Sequence, residues 1–174
     1  MGCDTDEDCN CSSAVKAEVN ERISETNFQE GLIIKETTIE LRAENQELLA
    51  IVTLQEDTQF EDNNGVAITE APLLVATIIK ESDTSELVIS FTTVDGEVLI
   101  PTKPLIVEIK APSIAQPQDR VNVEILDGSS VQIPPVIIPV VSQDGFVSLE
   151  ITMNDHPNTA TTITISVLGN GATN

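Results

Sequence analysis

Val147-Ser148-Leu149-Glu150-Ile151-Thr152-Met153 alternates apolar and polar side chains without a break. Successive side chains on a strand point to opposite faces, so this pattern gives one dry face and one wet face. That is the signature of an antiparallel sheet packed on one side, not of a parallel sheet buried between helices. The same alternation recurs outward from this stretch. Leu105, Val107 and Ile109 oppose Glu108 and Lys110; Val121, Val123 and Ile125 oppose Asn122 and Glu124; Ile163, Ile165 and Val167 oppose Thr162, Thr164 and Ser166. Further strands are expected over Ile33 to Leu41, Leu48 to Leu54, Leu73 to Ile79, Leu87 to Val94 and Val136 to Val141. With these, the chain holds about nine or ten strands.

The segments between them carry turn chemistry. Asn63-Asn64-Gly65, Asp95-Gly96, Asp127-Gly128, Asp144-Gly145 and Gly169-Asn170-Gly171 supply residues that tolerate positive φ. Asp95-Gly96, between Thr93-Val94 and Glu97-Val98, is the strongest hairpin signal. Pro134-Pro135 and Pro139 place Val136 to Val141 at a sheet edge or a crossover, because proline donates nothing to a central ladder. The expected architecture is all-β: a two-layer antiparallel sandwich of immunoglobulin-like or jelly-roll topology over residues 31–174, preceded by an N-terminal arm over residues 1–30.

Composition narrows the function. The chain of 174 residues has no Trp, no Tyr, four Phe and one His. His156 lies in Asn154-Asp155-His156-Pro157, between the last two strands, and reads as a turn residue. Ser-His and Cys-His catalysis need a histidine base beside the nucleophile, and sugar sites generally present aromatic faces. The expectation is therefore a protein that is not an enzyme, with no catalytic residues. Twenty-nine Asp and Glu against eight Lys and Arg give a formal net charge of -21, which repels phosphate backbones, so no nucleic acid is expected as a partner. No segment approaches the about 20 apolar residues of a membrane span. The chain also opens without the basic and apolar regions of a signal peptide, so either a mature form or another export route is expected.

The arm differs in kind from the rest. Cys3, Cys9 and Cys11 are the only cysteines, an odd number, so at most one intrachain bridge forms and a thiol is left over. The readings are a disulfide to a neighbouring subunit, a lipid anchor on Cys3, idle thiols, or a metal. Asp4, Asp6, Asp8 and Asn10 fall at alternate positions like the first half of a calcium loop, although Cys9 and Val15 stand where an EF-hand needs Gly and Glu. A looser calcium-type site is the metal reading there, with a second acidic candidate at Glu61-Asp62-Asn63-Asn64. After these residues, Val15, Val19 and Ile23 recur at helical spacing, while Val15, Ala17 and Val19 alternate as a strand would. A segment that suits both periods is a candidate to pair with a neighbouring subunit; the plain alternative is a helix or edge strand packed on its own domain.

Between Glu86 and Ile151 the order of features resembles a cohesin module, an extracellular β-sandwich that binds dockerins. The stretches carrying the resemblance are Glu86-Leu87-Val88-Ile89-Ser90-Phe91, Leu105-Ile106-Val107-Glu108-Ile109-Lys110-Ala111-Pro112, Arg120-Val121-Asn122-Val123-Glu124-Ile125 and Asp144-Gly145-Phe146-Val147-Ser148-Leu149. It implies the fold class and carries over no binding residues.

Two functional expectations follow. The first is a structural subunit of an extracellular, cell-surface or virion-surface assembly, a homo-oligomer or polymer linked through Cys3, Cys9, Cys11, Val15, Ala17, Val19 and Ile23 of the arm by disulfides or strand addition. The second is a cohesin-like or adhesin-like module, tethered through its N-terminal cysteine, that binds a partner protein on one sheet face.

Overall fold

The computed structural model describes residues 14–62, 64–127, 130–131, 140–152 and 160–167. Within them the chain is all-β and every strand pair is antiparallel. The strands are β1 Val15–Arg22, β2 Phe28–Gln29, β3 Leu32–Ile33, β4 Thr37–Arg42, β5 Leu48–Leu54, β6 Phe60–Glu61 and β7 Leu73–Lys80. They continue with β8 Thr84–Thr92, β9 Val98–Pro101, β10 Leu105–Lys110, β11 Val121–Asp127, β12 Ser130–Val131, β13 Phe146–Ile151 and β14 Thr161–Val167. Among the described residues no helix is long and apolar enough to cross a membrane.

Two sheets form the layers. The larger runs β1-β7-β8-β14-β11-β12. Its central strand β8 pairs along one edge with β7 and along the other with β14 from Thr84 to Ile89 and with β9 over its last two residues; β6 extends β9. The smaller sheet runs β4-β5-β10-β13, and β2 and β3 make a separate hairpin. Across the interface β1 lies against β4, β7 against β5 and β8 against β10, an aligned sandwich. Alternation places the core: Leu74, Ala76 and Ile78 of β7, and Leu87, Ile89 and Phe91 of β8, meet Val52 and Leu54 of β5 and Val107 and Ile109 of β10, all buried. Ser85 is buried as well, and its hydroxyl donates to the Lys110 carbonyl at 2.7 Å, pinning β8 to β10 across the layers. Ser85→Ala strands that carbonyl and is expected to cost about 1–2 kcal/mol, read as a lower urea midpoint at unchanged slope.

The few aromatic residues are concentrated. Phe28, Phe60 and Phe91 form one buried row, with ring centroids 6.0 Å apart for Phe28–Phe60 and 5.0 Å for Phe60–Phe91. Three elements far apart in sequence, β2, β6 and β8, thus share a single aromatic plug. Phe146 alone stays at the surface, where the Lys110 ammonium sits 5.1 Å from its ring centre.

Several expectations are met closely. β5 coincides with the expected Leu48 to Leu54, and β10, β11, β13 and β14 fall on the alternating runs. The Asp95-Gly96 hairpin forms, with Thr93 and Glu97 closing it and Gly96 at φ 93. Others are corrected. Ile33 to Leu41 is not one strand: Ile34, Lys35 and Glu36 break it, so Ile33 belongs to the β2–β3 hairpin. That hairpin turns on Glu30 and Gly31, both with positive φ, as a two-residue loop of this twist demands.

The second half of the expected arm is described. Val15–Arg22 is a strand of the body, paired with β7 from Val15↔Lys80 to Arg22↔Leu73, and Phe28 is part of the aromatic row. Period two prevails over helical spacing here because β7 offers a full-length edge, which satisfies every second backbone group of the segment and buries Ala17. Cys3, Cys9, Cys11, Asp4, Asp6, Asp8, Asn10, His156, Pro134, Pro135, Pro139 and Gly169-Asn170-Gly171 lie outside the described residues. Of the expected Val136 to Val141 strand, Val140 is described, in a single bridge to Arg120, together with the buried Val141.

Candidate functional site: the open seam at the first strand

Strand β1 ends the larger sheet. One side is hydrogen-bonded to β7 along all eight residues, and among the described residues no strand pairs with its other side. Its sequence Val15-Lys16-Ala17-Glu18-Val19-Asn20-Glu21-Arg22 has no proline, and its register with β7 has no shift. Of the two edge strands of the smaller sheet, β4 and β13, β4 lies directly against it and carries a bulge between Leu41 and Arg42, which twists that edge away. β1 is therefore the longest edge strand among the described residues, eight residues against six in each of the smaller sheet's edge strands, β4 and β13, and no described strand takes up its outward backbone donors and acceptors.

Between the two edges the sandwich opens into a groove of about 640 Å³. Ala14, Val15, Lys16, Ala17 and Glu18 form one wall, and Arg42, Ala43, Glu44 and Asn45 of the β4–β5 turn form the other. The turn wall is firmly built. Gln46 takes a positive φ, Ala43 and Glu47 close the loop through their backbones, and Arg42 reaches both Glu40 Oε1 and the Gln46 carbonyl at 3.0 Å. Below it Lys80 Nζ meets Glu47 Oε2 at 2.9 Å, with side chains 12% and 29% exposed, tying β7 to the opposite sheet. The strand wall is looser. The ion pair Lys16–Glu18, at 3.1 Å, stands in solvent and contributes little.

Of the residues expected to link subunits, the structure brings Val15, Ala17, Val19 and Ile23 together on one body. Ala17 and Ile23 are buried at 3% exposure and pack in this chain's own core. Val15 and Val19 are half-exposed, packed against the core with a flank turned to the seam. What the sequence did not reveal is the groove, because its walls are residues 14–18 and 42–45, brought together only by the facing of two sheets.

Chemistry elsewhere is sparse. Among the described residues no group of three His, Cys, Asp or Glu is placed to hold a metal ion. At Glu61-Asp62, Asp62 Oδ1 accepts the backbone N–H groups of Asn64 and Val66, at 2.8 and 3.0 Å, so this carboxylate is engaged in closing its own turn. A second hollow, lined by Ala67 to Ala71 with Thr93 and Val94, brings no nucleophile beside a base. Comparison with family models, with curated proteins and with solved structures finds no match.

Proposed function

We propose that this protein is a non-enzymatic structural subunit of an extracellular or surface assembly, in which the segment preceding β1 links neighbouring copies by strand addition, disulfides or both. The observation that carries the reading is the position of Ala14. It lines the groove and opens into β1, so the three-cysteine segment joins the body at the longest edge strand among the described residues. Thirteen residues can span at most about 45 Å when extended, enough to cross to an adjacent copy. A strand laid on β1 would gain backbone hydrogen bonds without needing aromatic side chains, and this chain has few to offer. Clustered odd cysteines suit an oxidising compartment, where a bridge to another chain persists.

The test is electrophoresis of the oxidised full chain without reductant. A ladder of multiples that collapses with dithiothreitol is expected, and Cys3→Ser/Cys9→Ser/Cys11→Ser should remove it while leaving the β-type circular dichroism unchanged. A single monomer band in both lanes would defeat the disulfide link.

A further inference from the structure

Five residues of β1, Val15-Lys16-Ala17-Glu18-Val19, have an apolar pattern that reads alike from both ends, with one charge of each sign between. Val15, Ala17 and Val19 lie on the core side of the sheet, Ala17 buried and both valines half-exposed. Lys16 and Glu18 stand on the outward face, 3.1 Å from each other, with side chains 57% and 60% exposed. In an antiparallel pair, residues directly opposite each other share a face. Laying a second β1 antiparallel along the free edge, Ala17 opposite Ala17, therefore sets Lys16 of each copy against Glu18 of the other. It also sets Val15 of each against Val19. The ion pair within each strand closes into a ring of four charges in which every neighbour has the opposite sign. The valine flanks that one chain leaves half-exposed cover one another.

Other registers lack this match. Only pairings centred on a residue keep core side with core side, because side chains alternate. Centring on Lys16 or on Glu18 sets that charge against itself. Centring on Val19 opposes Lys16 to Arg22 and Ala17 to Glu21. Centring on Asn20 matches Glu18 with Arg22 but brings Glu21 against Val19, and it draws in Ile23, which lies past the end of β1 and donates its N–H to the Pro72 carbonyl at 2.9 Å. The charge order of the edge thus selects its occupant. Any strand can use the backbone groups, but Lys-Ala-Glu is complementary to its own reverse, and this chain supplies that reverse itself.

From this match we infer that β1 is a self-pairing strand: a second copy of the chain docks its own β1 antiparallel, centred on Ala17, and two larger sheets become one. The inference rests on the reading of β1 as the joining edge and specifies the strand laid on it. One strand pair is far smaller than the about 1,200 Å² of a standard interface, so the contact is weak, formed at millimolar protein and dissociated at micromolar. Because the paired strands run in opposite directions, the segments preceding them depart at opposite ends, each toward a further copy.

The experiment is sedimentation equilibrium, from micromolar to millimolar protein, of the full chain carrying Cys3→Ser, Cys9→Ser and Cys11→Ser. A monomer–dimer equilibrium is expected. Lys16→Glu and Glu18→Lys should each weaken it about tenfold, since by symmetry each turns two attractive cross-strand pairs into two repulsive ones. The exchange Lys16→Glu/Glu18→Lys should restore the original affinity. Both side chains are largely exposed, so the core is untouched. Arg22→Glu makes the same change of net charge as Lys16→Glu, further along the same face, and should leave the dimer unchanged. A chain monomeric at every concentration overturns the inference, as does an exchange variant no stronger than the single ones. A dimer that responds to Arg22→Glu as it does to Lys16→Glu, or that tightens with Glu18→Lys, follows net charge and overturns it too. With the cysteines replaced throughout, none of these results bears on the disulfide ladder, so the two proposals fail separately.

Discussion

A chain starting at Ala14 is expected to fold and stay soluble as a β-rich monomer in reductant, whereas a chain starting at Ile23 is expected to aggregate on expression. The difference is one strand. Removing residues 1–13 leaves every described strand pair in place. Removing Val15–Arg22 uncovers the whole edge of β7, eight residues that now pair with β1. It also takes buried Ala17 and the half-buried Val15 and Val19 from the core, exposing the side of Leu74 and Ile78. A long, regular, apolar edge is a template for indiscriminate pairing. Soluble yield and circular dichroism of the two truncations decide the matter. A soluble, folded 23–174 chain would show that β1 is an appendage after all.

The second large effect belongs to Phe60. Its ring is fully buried and lies between those of Phe28 and Phe91, so Phe60→Ala opens a cavity at the junction of β2, β6 and β8. Such truncations cost about 3–5 kcal/mol, a large share of the roughly 5–15 kcal/mol that holds a domain together. β6 has only two residues, Phe60 and Glu61, held by β9 and a bridge to Ala67. The expected result is a urea midpoint far below that of the unaltered chain, and earlier protease cleavage within residues 55–70. Phe146→Ala, which loses only a surface contact with Lys110, should change stability by about 0.5–1 kcal/mol. Equal effects at both positions would contradict the aromatic row.

How far the sequence alone reveals this molecule depends on the length of each element. Alternation over six residues or more is readable locally, and β10, β11 and β14 fall where period two puts them. Two-residue strands have no period to read. β2, β3, β6 and β12 are defined by what they pair with, and the β2–β3 turn hides because Glu30 occupies a position where Asn or Asp would have advertised it. β1 was ambiguous for a different reason: Val15, Val19 and Ile23 satisfy the helical period as well as Val15, Ala17 and Val19 satisfy the extended one. The free edge of β7 resolves it, and no local window contains that fact.

The site followed the same rule. Clustered cysteines and a β-capable segment after them were visible as residue types. The groove between residues 14–18 and 42–45 depends on the facing of two sheets whose strands lie far apart in the chain. Spacing alone also leaves open that Ala17 and Ile23 are buried in this chain's core.

The central claim, a scaffold whose links to its neighbours run through the segment before β1, is tested most directly by native mass spectrometry of oxidised protein. The full chain and the 14–174 chain should be compared at equal concentration. The account predicts covalent multimers from the full chain and none from 14–174, with the same folded signature in both. Multimers of equal size and abundance from the two chains would contradict it.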